Sequence, residues 1–157
     1  TGHLVSNEVV MDIIENFMSR LTKDKKVLFD GVPRKMIQAE TFDVLMKNLK
    51  RNFMCILIDV PEKVVLNRLA KRRICQKCKA VYPAYYSHGK CEICHGALAT
   101  RDDDTSKAIK TRINAYYSET MPVIERYKKA EKLVTMDGDQ SIEEAGKEIL
   151  TILAKIF

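Results

Sequence analysis

Four cysteines in two C-x-x-C pairs, Cys75/Cys78 and Cys91/Cys94, constrain this chain more than any other feature. Twelve residues separate the pairs. Thiolates at this spacing converge on one tetrahedral centre, and Zn²⁺ is the ion suited to four sulfur ligands. Four sulfurs leave no open coordination position, so the expected metal is structural and not catalytic. A small metal-knotted insert over residues 73–102 is therefore expected inside a longer pattern. The fifth cysteine, Cys55, lies in an apolar run and reads as a small core residue. An odd count with this spacing favours metal-bound thiolates in a reducing cytoplasm over a disulfide framework. His88 and His95 flank the second pair and offer alternative nitrogen ligands, but four well-spaced cysteines already complete a set.

Helices and strands alternate around the insert. Ser6-Asn7-Glu8 opens a helix whose apolar residues recur at Val9, Val10, Ile13, Ile14, Phe17, Met18 and Leu21. Val27-Leu28-Phe29-Asp30 reads as a short strand, and residues 38–49 as a second helix. Residues 53–60 form the strongest strand; their nearly continuous apolar character predicts cover on both faces. A helix over 62–73 leads to the insert. A long helix from 103 to about 132 is expected to bend or break at Pro122. Residues 133–136 form a third strand, and Ser141 with Glu144 make a capping box for a terminal helix. The pattern predicts an α/β fold with a parallel sheet, its core in residues 1–72 and 103–157. Ligands of such sheets bind at the carboxyl ends of strands, where Asp30-Gly31, Asp59-Val60-Pro61 and Asp137-Gly138 stand.

Composition narrows the partners only slightly. The longest apolar runs are too short to cross a bilayer, and Thr1-Gly2-His3 does not open a signal peptide. A net charge of +6 suits anions, whether nucleotide phosphates, nucleic acid or acidic membranes. At the first strand end, Asp30 can hold a Mg²⁺-bound water, and Gly31 lets a ligand approach the backbone. Pro33 sets the turn so that Arg34 grips a phosphate, and Gln38 offers the donor and acceptor needed to read a base edge. The same residues also read as an ordinary strand-to-helix turn with a surface arginine. Arg68 and Arg72 share a helix face, and Arg101 and Arg112 flank the next helix start. With Arg34 they can surround a transferring phosphoryl group, or they form a solvated basic face. Asp102, Asp103 and Asp104 suit a helix amino end, one of them as its cap. Tyr82, Tyr85 and Tyr86 either stack on a base or cover the metal knot.

Taken in order, these residues resemble the adenylate kinases, the bacterial type with a zinc-bearing lid. The likeness covers the whole chain: Gly2-His3-Leu4-Val5, Asp30-Gly31-Val32-Pro33-Arg34, Gln38-Ala39, Arg68 with Arg72-Arg73, the cysteines, Arg101 with its acids, Arg112, and Asp137-Gly138. It implies a P-loop nucleoside monophosphate kinase fold with a small four-cysteine zinc lid, and the reaction MgATP + AMP ⇌ 2 ADP. By that resemblance His3, Leu4, Val5, Gly31, Val32, Pro33, Arg34 and Gln38 hold AMP, with residues 1–5 the end of the AMP-binding region. Arg101 and Arg112 bridge the phosphates. Arg68, Arg72, Val81, Tyr82 and Gln140 meet ATP, and Asp30 helps place Mg²⁺. Zn²⁺ sits in the lid. A monomer is implied, with no nucleic-acid or membrane partner, although a missing sheet strand would favour association. Two residues depart from the family pattern, Val32 in place of phenylalanine and Lys35 in place of threonine. No G-x-x-x-x-G-K-[ST] occurs in the sequence, nor the family's first, central strand. The expectation is therefore a gap in the sheet between residues 27–30 and 54–60, and a chain inactive alone. The rival readings are a zinc-ribbon nucleic-acid module, a non-catalytic adenine-nucleotide-binding fragment, and a kinase for another nucleotide.

Overall fold

The computed structural model describes residues 6–101 and 104–156. Two compact units divide the chain. Of the described residues, the first holds 6–57, 115–135 and 156; the second holds 58–101, 104–114 and 136–155.

In the first unit, helix α1 (Asn7–Ser19) packs on helix α2 (Met36–Asn48). Ser6 caps α1, its hydroxyl accepting from Val9 N. Met11, Ile14 and Met18 lie three and four residues apart, so they share a face and are buried against Phe42, Leu45 and Met46 of α2. On its far side α2 meets helix α5 (Met121–Lys129) through Ala39, Val123 and Tyr127. Four rings join these two clusters edge to face: Phe29–Phe42 at 5.6 Å, Phe42–Phe53 at 5.1 Å and Phe53–Tyr127 at 5.6 Å between centroids. Cys55 is half-buried beside them, and burial, then the nearby Asp43 carboxylate, push its thiol up to about 11. It stays a neutral packing residue, in keeping with its sequence context.

Strands β1 (Cys55–Asp59) and β5 (Leu133–Asp137) pair in a two-stranded sheet. Cys55 N donates to Lys132 O (2.8 Å) at their beginnings, and Gly138 N donates to Asp59 O (2.7 Å) at their ends, so the strands run parallel. Two expectations need correction here. Residues 27–30 join no strand ladder among the described residues, although Val27 and Phe29 pack on the α1–α2 core. Apolar alternation buries one side of a segment, but a strand also needs a neighbouring backbone to pair with, and Leu28 on the other side is 76% exposed. β1 is likewise not covered on both faces, since Ile58 is 51% exposed in a sheet of two strands.

In the second unit, helix α3 (Glu62–Lys71) leads into β2 (Arg73–Cys75), β3 (Val81–Tyr82) and β4 (Leu98–Ala99). These form an antiparallel sheet in the order β3-β2-β4. Helix α4 (Ser106–Ala115) follows, capped by Thr105, whose hydroxyl accepts from Ala108 N (3.2 Å). The long helix does break, but over Tyr116–Thr120 as a π turn. Pro122 follows directly, and since Ala115, Thr120 and Met121 keep helical dihedrals, its missing N–H and its ring fall on that π turn. Helix α6 (Ile142–Ile156) carries its capping box as expected: Glu144 N donates to Ser141 Oγ, and Ser141 N donates to the Glu144 carboxylate.

Phe42 touches rings on both sides of the first core. Phe42→Ala is expected to cost about 3–5 kcal/mol in urea unfolding, whereas Leu150→Ala, at a site 68% exposed, stays within about 0.5 kcal/mol.

Candidate active site

The Asp30–Arg34 turn lies in the first unit. Gly31 stands at φ +74°, a left-handed conformation that side chains rarely adopt. A Cβ there would collide with the Arg34 guanidinium, which folds back over the glycine. Both Asp30 and Arg34 are exposed. Gln38, by contrast, is buried, and its amide fastens the turn. Gln38 Oε1 accepts from Arg34 N (2.9 Å), and Gln38 Nε2 donates to Asn7 Oδ1 (3.0 Å). An amide has two lone pairs and two N–H groups, so each end keeps one more bond to give. Two further links hold the turn to the π segment. Thr120 Oγ1 donates to Arg34 O (3.1 Å), and Lys35 Nζ pairs with Glu119 at 3.2 Å. Lys35 thus has a partner of its own at a position that departs from the family pattern. His3, Leu4 and Val5, which the resemblance assigns to AMP, lie outside the described residues.

The second unit gathers the other arginines. Asp104 is the centre: its side chain is fully buried and accepts from Arg72 Nε (2.8 Å), Arg72 Nη2 (2.7 Å) and Arg112 Nη1 (3.4 Å). Asp104 is not the helix cap, a role taken by Thr105, which frees its carboxylate to face the guanidiniums. The burial follows from the charge balance, since a carboxylate is tolerated out of water when its oxygens are fully hydrogen-bonded. Sequence reasoning did not single it out, although its place between Arg72 and Arg112 in a run of acids was the available signal. Asp102 and Asp103 lie outside the described residues. Arg101 is half-buried, its carbonyl accepting from Asp104 N (3.0 Å). Arg68 donates to Gly138 O (2.8 Å) and pairs with Asp139 at 3.3 Å, which brings it to the carboxyl end of β5. Gln140 Nε2 donates to Asp137 O (2.7 Å), closing the same turn.

The four cysteine sulfurs lie within 4.8 Å of one another. Two C-x-x-C turns of the same build bring them together. In the first, Lys79 N donates to Cys75 O (3.0 Å) and Cys75 N to Ala80 O (2.8 Å). In the second, His95 N donates to Cys91 O (2.9 Å) and Cys91 N to Gly96 O (2.9 Å). Lys79 and His95 both take positive φ, 64° and 55°, which bends each turn so that both its sulfurs face one point. Zn–S bonds of about 2.3 Å in a tetrahedron place sulfurs about 3.8 Å apart. Cys75–Cys94 and Cys78–Cys91, each at 3.5 Å, fit that spacing. Gly96 is required beside them, because a Cβ there would lie 3.0 Å from Cys75 Sγ. Burial raises the Cys91 thiol, but hydrogen bonds from Tyr82 and the Cys94 N–H bring it down to about 6. The Ala80 N–H lowers Cys78, yet burial and the sulfurs around it push it up to about 12. The cluster can therefore hold a metal ion. His88 and His95 stay outside it, His88 against the Tyr86 ring (5.2 Å). Val81 is exposed, whereas Tyr82 is buried with its hydroxyl on Cys91 Sγ.

Paired arginines around a buried acid suit phosphoryl transfer, which needs positioned positive charge more than covalent help. Comparison with known proteins agrees. The family model described as adenylate kinase matches residues 1–132. The adenylate kinase of Archaeoglobus fulgidus is 37% identical over 160 residues, covering 99% of this chain and 74% of the relative. That of Acetivibrio thermocellus is 35% identical over 160 residues, with the same coverage, 99% and 74%. That of Thermosipho melanesiensis is 35% identical over 159 residues, covering 98% and 74%. The class is thus a phosphotransferase acting on nucleotides. The chain belongs to the adenylate kinase family, whose reaction is ATP + AMP = 2 ADP.

Asp104→Ala strands two guanidiniums without their carboxylate. We expect a loss of about 3 kcal/mol in chemical denaturation, with Asp104→Glu recovering only part of it.

Proposed function

We propose that this chain binds AMP at the Gly31–Arg34 turn and ATP along the Arg68–Arg72–Arg112 arginines, the two nucleotides between which the family passes a phosphoryl group. The observation that carries this reading is the seating of Arg72 and Arg112 on one buried carboxylate. Asp104 neutralises one of the two charges and fixes both guanidiniums. Guanidinium forks held in this way suit incoming phosphate oxygens. Pre-set cations of this kind stabilise charge spreading over the transferring group without having to reorganise.

On the AMP side, Gly31 lets the nucleotide approach the backbone, and Arg34 swings off the glycine to meet the α-phosphate. Gln38 reads adenine with the donor and acceptor left over from its bonds to Asn7 and Arg34. His3, Leu4 and Val5 complete the AMP contacts. On the ATP side, Arg68 reaches the nucleotide from the turn it shares with Gly138, and Val81, Tyr82 and Gln140 contribute alongside it. Arg101 joins Arg112 at the phosphates. Asp30 helps seat the Mg²⁺ that arrives with ATP.

Residues 73–102 act as a lid held by Zn²⁺ on Cys75, Cys78, Cys91 and Cys94. The metal supplies cross-links that a sheet of three short strands lacks, and a closed lid keeps water from the phosphoryl group. Metal-bound thiolates of this kind suit a reducing cytoplasm. Among the described residues no helix is long and apolar enough to cross a membrane. A monomer that meets only ATP, AMP and ADP satisfies the whole site.

Calorimetric titration with AMP and with ATP tests the reading. Arg34→Ala should raise the Kd for AMP about tenfold or more, the cost of one charge-assisted phosphate contact, while the Kd for ATP holds. An unchanged Kd for AMP would remove Arg34 from the site. Metal analysis should return one zinc per chain, and a strong chelator should lower the melting temperature. Melting indifferent to chelation would rule out a structural metal.

A further inference from the structure

Tyr82 has a second task that its place in the nucleotide-facing strand conceals. Its ring is buried, 7% exposed, and its hydroxyl makes two contacts. Glu92 N lies 2.9 Å from Tyr82 Oη, and Cys91 Sγ lies 3.1 Å from the same atom. The backbone N–H can only donate, so Oη accepts from Glu92. The phenolic proton is thereby left to the sulfur. Glu92 follows Cys91 directly, so one hydroxyl grips the start of the second knuckle through both a backbone N–H and a sulfur.

The ring itself is held from behind. Tyr86 lies 4.3 Å away, centroid to centroid, tilted by 36°. Tyr86 Oη donates to Lys90 O (2.8 Å), which fixes Tyr86 to the residue before Cys91. His88 meets the far edge of Tyr86 at 5.2 Å. Across the ladder Tyr82 pairs with Arg73, the neighbour of Arg72. The sulfur, the phenol, the strand and the arginine that sits on Asp104 thus form one connected series.

We propose that Tyr82 is a positioning residue of the metal centre, whose O–H holds the Cys91 thiolate in place for the metal while its backbone belongs to the nucleotide-facing strand. The inference rests on the zinc reading given under Proposed function. Outer hydrogen bonds of this type orient a ligand and tune its donor strength, and their loss costs about 10–100-fold in metal affinity. The ATP contact assigned to Tyr82 then falls to its main chain, because the side chain is fully engaged.

Tyr82→Phe keeps the ring and removes only the O–H. Tyr86→Phe is the control, since it removes a hydroxyl that touches no sulfur. Zinc affinity is measured by competition with a chromogenic chelator on the whole chain. Tyr82→Phe should weaken zinc about 10–100-fold, and Tyr86→Phe should change it far less. Co²⁺ loading gives a second readout. A thiolate relieved of its hydrogen bond is a better electron donor, so the sulfur-to-cobalt charge-transfer band should move to lower energy in Tyr82→Phe only. If Tyr82→Phe does not fold, 3-fluorotyrosine at position 82 keeps the shape and strengthens the donor. It should move the band to higher energy. Wild-type zinc affinity and an unmoved cobalt band in Tyr82→Phe would overturn the proposal. A wild-type chain that takes up no metal would instead overturn the zinc reading, and this proposal with it.

Discussion

A carboxylate removed from water must be given donors for its oxygens, and that constraint organises both units of this protein. Asp104 meets it with Arg72 and Arg112. Asp43 meets it with Arg126, at 2.7 Å, and the Tyr127 hydroxyl, at 3.2 Å. The two sites differ in consequence. Asp43 ties α2 to α5, and burial with Asp43 beside it pushes the Tyr127 phenol well above its usual range. Asp104 gathers two partly exposed guanidiniums. Without the acid, two guanidiniums this close would repel each other and spread apart.

The insert answers a different shortage. Its sheet has strands of three, two and two residues, and its buried apolar cluster is Cys75, Tyr82 and Cys91. So small a body cannot offset its own ordering entropy by burial alone. Two knuckles of the same hydrogen-bond pattern bring four sulfurs to one point, and Gly96 makes room for them. The tyrosines answer the same shortage. Tyr82 and Tyr86 supply the apolar cover that the strands cannot, and each sends its hydroxyl to a nearby acceptor.

Much of the chain was readable in advance wherever a local rule decided the outcome. Ser6 and Ser141 cap helices as their positions suggest, because capping depends on a hydroxyl and the next three residues. The cysteine spacing announced the knot for a similar reason. Other features were not readable. Residues 27–30 look like a strand, but a strand is a relation to a neighbour that the segment does not contain. Pro122 marked the interruption correctly, but not that it takes the form of a π turn just before the proline, where Thr120 and Glu119 reach back to Arg34 and Lys35. Asp104 passed for a helix-end acid until the fold turned it toward two arginines.

By itself the sequence determined the α/β alternation, the four cysteines that can hold a metal and the ordered set of arginines that places the chain among adenylate kinases. Those follow from residue type and spacing, which are local. Only the tertiary structure decided that Gln38 commits half its amide to Asn7 and Arg34, that Asp104 and not its arginines is the hub, and that the Tyr82 side chain serves a sulfur. Each of these depends on which groups become neighbours once water is excluded. A hydrogen bond between residues 31 apart, like an ion pair between residues 32 apart, has no trace in the spacing of either partner.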